Sequence, residues 1–212
     1  MPERDSGTES RWAKAASRAE GLTDLGIGAA VRRYFLVYFP LTVSAALVVG
    51  FVLAFLWPDM AEGFLPSWLV FGSLLSGLGV LVVGMVYGSK RISSLVHPSR
   101  MGVTVGLTAE ETKRVRRQVL GKEPVDRHQI SVLRGAAVQM REGLAKQLLW
   151  SPGFLIYFIG QFMLHGTLAV FDVVMNLLLL GMFVLLVLVA RQFHRTGVFL
   201  ASTVASASDN PK

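Results

Sequence analysis

Four polar side chains interrupt the longest apolar stretch of the sequence. The segment QFMLHGTLAVFDVVMN, residues 161–176, holds Gln161, His165, Asp172 and Asn176. An imidazole near a carboxylate could pass a proton, and two amides could order a polar ligand. Inside a membrane, such groups would mark an ion or proton path. The same residue types also suit a turn. With a fold-back at about 169–172, Asp172 fits the N-cap of the next helix, its carboxylate accepting from free backbone N–H groups. Asn176 then lies one turn in. His165 lies near the end of the preceding helix, where a cation is favoured, or directly in the loop if the chain turns at His165-Gly166-Thr167. Gln161 is the exception, one turn deeper on the face of His165, and needs a partner such as a carbonyl or hydroxyl on a neighbouring helix. The functional alternative joins all four residues into one polar cluster, with His165 and Asp172 paired across the hairpin. Function that survives neutralising both residues rules that pair out.

Other chemistry finds no support. The remaining histidines, His97, His128 and His194, are scattered, and no paired-His or HExxH spacing suggests a metal. With no cysteine, thiolate chemistry, Cys-ligated zinc and iron–sulfur clusters are excluded. Neither a G-x-S-x-G elbow nor a Walker A loop occurs. The expectation is a protein that is not an enzyme and takes no cofactor or metal.

The elements that carry these residues follow from hydropathy. Mean hydropathy is +0.52 and only 17% of residues are charged, against about a quarter in soluble domains. The charges fall in blocks separated by long uncharged runs, the pattern of a polytopic membrane protein. The first run, Tyr34 to Trp57, is long enough to cross a hydrocarbon core of about 30 Å. Because it follows a polar head, no cleavable signal peptide is expected. A second run extends from Trp68 to Gly88. It carries Gly72, Ser76, Gly84 and Gly88 on a four-residue register, with Ser73 and Gly77 alongside, a helix-packing stripe. The third run, residues 148–190, is about twice a span and must fold back on itself.

The expected chain is therefore all-α, with four transmembrane helices arranged as two hairpins. Its parts are an N-terminal arm (1–33, partly disordered), a first hairpin (34–88), a helical loop region (89–147), a second hairpin (148–191) and a disordered tail (192–212). Arm, loop region and tail hold 20 of the 21 Lys and Arg, the other is Arg191 at the last position of the second hairpin, and the two short connections hold none. By the positive-inside rule both termini and the loop region face the cytoplasm of a bacterial cytoplasmic membrane.

Within the loop region, LTAEETKRVRRQVLG reads as a short helix with a Thr108/Glu111 capping box and a terminating Gly121. A second box, Asp126/Gln129, opens the next helix. There Ile130, Leu133, Ala137, Met140 and Leu144 form an apolar stripe. Two readings stay open for it, packing between these two helices or a docking face for a partner. This helix could continue into the third span, broken near Ser151-Pro152. Lys113, Arg114, Arg116 and Arg117 cluster on the short helix, and anionic lipid head groups are their expected partners. Nucleic acid is not expected, because no aromatic interleaving or recognition motif accompanies the charge.

The segment GLTAEETKRVRRQVLGKEPVD, a capped basic helix and a G-K-E-P-V turn between hydrophobic hairpins, resembles cytoplasmic segments of small integral membrane proteins of actinobacteria. The resemblance implies no activity and transfers no site residue. The functional expectation is a non-catalytic accessory or scaffold subunit. It would bind a membrane-protein partner through the small-residue stripe and the Ile130–Leu144 face. The alternative is a small homo-oligomeric transporter or channel component with Gln161 and His165 lining a polar path.

Overall fold

The computed structural model describes residues 3–56, 67–97, 102–164 and 169–208. The described residues are mainly helical, with one two-stranded ladder and an isolated bridge between Val105 and Leu107. In chain order they form α1 (Glu3–Ala19), β1 (Thr23–Asp24), α2 (Ile27–Leu56), α3 (Ser67–Leu95), β2 (Val96–His97), α4 (Ala109–Val119), α5 (Ile130–Leu164) and α6 (Ala169–Ser208). Among these residues, three helical stretches are long and apolar enough to cross a membrane: Ile27–Leu56, Ser67–Leu95 and Asp172–Thr203. The apolar part of α5, expected as a further span, is interrupted by Ser151, Pro152, Gly153 and Gln161 and is not among the three.

The chain divides into two compact units, each with its own packing. The first comprises Met1–Gly28, Ile92–Leu144 and Arg191–Lys212. Its core is Val115 and Val119 from α4, Leu133, Ala136 and Ala137 from α5, and Phe199 from α6, with Trp12, Leu107, Met140 and Leu200 against it. Burying such a set is what stabilises the unit. The N-terminal arm, expected to be partly disordered, carries a helix over Glu3–Ala19. α1 places Trp12, Ala15 and Ala19 at steps of three and four, and Ala15, Ala19 and the following Leu22 are buried. It crosses α5 where Gly135 has no side chain; a Cβ there would lie 2.6 Å from that of Ala19. The disordered tail is corrected. α6 continues to Ser208, with Thr196 and Phe199 buried.

α4 is capped as its sequence requires. The Glu111 N–H donates to Thr108 Oγ1 (3.3 Å), and the Thr108 N–H donates to Glu111 Oε2 (2.7 Å). At the other end Gly121 takes φ +69°, its N–H donates to the Gln118 carbonyl, and Lys122 N–H donates to that of Arg117. These bonds close a Schellman-type end. The second box stays half-formed. Asp126 accepts from His128 N–H (3.0 Å), while the buried Gln129 Oε1 has no hydrogen-bond partner.

The second unit comprises Ala29–Arg91 and Ala145–Ala190. Here α3 is antiparallel to α2 on one side and to the C-terminal part of α5 on the other. Against α2, a Cβ on Gly50 would lie 2.4 Å from the Gly72 nitrogen, and one on Gly72 would lie 2.7 Å from Leu47. Ser76 donates to the Val43 carbonyl at 3.4 Å. Against α5, a Cβ on Gly77 would lie 2.5 Å from the Tyr157 nitrogen, and one on Gly84 would lie 2.6 Å from the Leu149 carbonyl. Gly88 faces Lys146. The four-residue register is thus not one face. Each step of four overshoots a turn by about 40°, so Gly72 and Ser76 meet α2 while Gly84 and Gly88 have rotated round to α5. Both sides are filled from within the chain.

Two helices depart locally from α geometry. In α2, Tyr34–Tyr38 is a π-helical turn just ahead of Pro40, whose ring would clash with a normally placed carbonyl four residues back. α3 ends in a π turn at Gly88–Ile92. In contrast, α5 is not broken at Ser151-Pro152. The next residue, Gly153, sits against α3, where a Cβ would lie 2.8 Å from the Gly77 carbonyl, so tight packing beside Pro152 holds the helix together.

Candidate functional site

The densest polar arrangement lies in the first unit and was not singled out by sequence. Asp24, in β1, uses one carboxylate oxygen to accept from the N–H groups of Gly26 (2.9 Å) and Ile27 (2.7 Å), capping α2. Its other oxygen accepts from Nη1 of Arg141 on α5. The guanidinium carbon of Arg141 lies 5.0 Å from the ring centre of Phe193 on α6, a cation–π contact. Two glycines make room for it. A Cβ on Gly28 would lie 2.8 Å from Arg141 Nη2, and one on Gly197 would lie 3.0 Å from it. The pair is mostly buried, with 18% of the Arg141 side chain and 13% of that of Asp24 exposed. Arg141 Nε is buried without a hydrogen-bond partner.

This constellation is a clasp. One carboxylate ties the start of α2 to α5, and the guanidinium it orients covers an aromatic ring of α6. It offers a held charge pair and no nucleophile. The legible signal was Asp24 three residues before the helical Ile27, a capping position. For Arg141 there was none, since partners more than fifty residues away in sequence leave no local pattern.

Of the expected polar cluster of the second hairpin, two members show bonds within their own helices. Gln161 Nε2 donates to the Tyr157 hydroxyl on its own helix (2.9 Å), and Asn176 Nδ2 donates to the Asp172 carbonyl (2.7 Å). His165 lies outside the described residues. α5 ends at Leu164 and α6 starts at Ala169, so Asp172 is in the first turn of α6 rather than at its N-cap. A carboxylate in the first turn still suits the helix dipole.

The stripe Ile130, Leu133, Ala137, Met140 and Leu144 is corrected as a docking face. Leu133 and Ala137 are wholly buried, Leu144 nearly so, and Met140 packs on the same core. Apolar surface facing α4 and α6 is covered within the chain, and only Ile130 and Met140 keep partial exposure.

Lys113, Arg114, Arg116 and Arg117 are exposed on α4. Arg117 pairs with Glu123 (3.0 Å), and Arg116 donates to Gln192 Oε1 (3.3 Å). A groove lined by Lys113, Arg114 and Arg117 also carries Glu110, Glu111 and Glu123, so its field is mixed. The Thr108 backbone N–H holds the Glu111 carboxyl below its ordinary range, outweighing the opposing effect of burial; the Thr108 hydroxyl and Arg11, 3.5 Å away, add to it.

Compared with known proteins, the chain matches no family model, no curated protein and no solved structure.

Proposed function

We propose that this chain is a four-span protein of a bacterial cytoplasmic membrane and acts without catalysis as an accessory or scaffold subunit. Both termini and the first unit lie on the cytoplasmic side in this reading, with anionic lipid beneath the α4 cations. The observation that carries the subunit role is the state of α6. Its half-buried residues Asp172, Met175, Leu179, Met182 and Leu186 repeat at steps of three and four, leading to the buried Val189. The remaining faces, with Leu177, Leu180, Phe183, Val184 and Leu188, are exposed. Nothing lies within 4 Å of a Cβ placed on Gly181. The small-residue faces of α3 are filled internally, so a partner helix would meet α6 instead.

The absence of native cysteine makes the test direct. Gly181→Cys would be the only thiol, and cross-linking in native membranes followed by intact-particle mass measurement reads its neighbour. A single foreign subunit at fixed stoichiometry is the expected product. A cross-linked homodimer would replace this reading by the homo-oligomeric conduit, and a monomer without adducts would remove it.

A further inference from the structure

We propose that the second unit holds a dedicated site for one anionic phospholipid, in the groove lined by Tyr38, Val82, Val83, Val86, Tyr87, Lys90 and Arg91. The inference rests on the membrane-spanning reading and goes beyond it by naming a ligand class and its contacts. The lining divides by chemistry along α3. Val82, Val83 and Val86 form an apolar floor, and Val82 and Val86 are exposed. One turn further lie the exposed cations Lys90 and Arg91, and among the described residues no acidic one joins the lining. The π turn Gly88–Ile92 matters here. Its wider winding offsets the rotation that four-residue steps accumulate, keeping both cations below the valines.

Tyrosines mark the level between floor and charge. The Tyr87 ring lies 5.1 Å from that of Tyr38 and 5.4 Å from that of Tyr34, and its hydroxyl donates to the Ala30 carbonyl at 3.1 Å. Amphipathic rings of this kind favour the membrane–water boundary. The exposed Arg32 and Arg33 flank Tyr34 at the same end of the unit. An acyl chain along three valines, ester groups beside two tyrosines and a phosphate at two cations match the order of chemistry in a phospholipid. The two cations select an anionic one. This site is separate from the α4 cations, whose groove carries three acids.

The test is native mass spectrometry of the full chain from nanodiscs of equal parts phosphatidylglycerol and phosphatidylcholine. One retained phosphatidylglycerol per chain is expected. Lys90→Gln with Arg91→Gln should reduce its retention about 30-fold, from the attraction of two cations near a lipid surface. Both side chains are exposed, so the fold should persist. Val86→Trp, which fills the floor, should reduce retention with the charges intact, and Lys113→Gln with Arg114→Gln should leave it unchanged. Equal retention in the Lys90/Arg91 variant would overturn the site. Displacement by millimolar inorganic phosphate would also overturn it, because the groove would then read only a free anion. A doubled particle mass that Val86→Trp abolishes would assign the groove to a second copy instead. A chain that stays in solution without detergent or lipid would sink the membrane reading itself, a result distinct from an embedded chain that retains no phosphatidylglycerol.

Discussion

Asp24 does two jobs with two oxygens, and substitution can separate them. Asparagine caps a helix about as well as aspartate but carries no charge for Arg141. Asp24→Asn should therefore lose the ion pair and keep the cap, while Asp24→Ala loses both. Breaking a mostly buried pair costs about 3 kcal/mol, since Arg141 is left charged over Phe193. The cap adds about 1 kcal/mol. Unfolding in detergent should rank wild type above Asp24→Asn above Asp24→Ala, and equal midpoints for the two variants would show that the cap contributes nothing. Glu111 gives a pH signature at the same scale. Its carboxyl sits below the ordinary value of 4.5, so its hydrogen bonds to Thr108 stabilise the fold above that pH. The contribution is lost as pH falls from there through the lowered folded value, where the unfolded chain and then the folded chain take up the proton. Glu111→Gln should be less stable than wild type at pH 6, and the gap should narrow below pH about 4.5. A gap independent of pH would mean that the ionised carboxylate is not what the capping box uses. The Thr108/Glu111 box was legible because it is local, four residues with one geometry. The Asp24–Arg141 clasp was not, because its partners lie on separate segments and the glycines that admit the guanidinium look like any others.

At the scale of elements, the chain uses glycine in two opposite ways. Gly77 and Gly84 sit where α3 and α5 touch backbone to backbone, and an added methyl would meet atoms that cannot move aside. Gly77→Ala and Gly84→Ala should each destabilise the second unit by about 2 kcal/mol, as overpacking does. Gly143, within α5, has nothing within 4 Å of a Cβ and lies exposed. Gly143→Ala should stabilise by about 0.5–1 kcal/mol through helix propensity alone. Thermal unfolding of the three variants side by side checks both signs, and a loss at Gly143 would indicate that α5 bends there. The small-residue stripe was readable in composition, but its division between two neighbours was not, because the drift of four-residue steps matters only once both flanking helices are placed. A short helix within α1 was readable, but its burial was not, because its buried face is mostly alanine, which carries little hydropathy signal. The far end of α6 did leave a trace. Val189, Phe193, Thr196 and Leu200 continue at steps of four, three and four, but the charges of Arg191 and Arg195 between them read as an exit from the membrane.

For the whole molecule, the charge asymmetry and the helices bear on different questions. All 21 Lys and Arg avoid the two short connections, which speaks to orientation. Three stretches have the length and apolarity to span, which speaks to number. They leave α5 as the deciding element. A fourth span puts residue 166 on the face opposite Lys122, and a three-span chain puts both on one face. The apolar part of α5 is broken by Pro152 and Gln161, yet its glycines and Tyr157 are packed along α3, which is how a short or polar-interrupted span is held in a bilayer. Four crossings also put the two termini on one side, the arrangement that a core shared by Trp12, Phe199 and Leu200 needs. Single cysteines in the otherwise cysteine-free chain resolve the question. In intact cells an impermeant maleimide should label Asp59→Cys and Gly166→Cys and spare Lys122→Cys until the membrane is opened. Protection of Gly166→Cys together with Lys122→Cys would reduce the count to three spans, put the C-terminal end of α6 outside, and conflict with the shared core of α1, α4, α5 and α6.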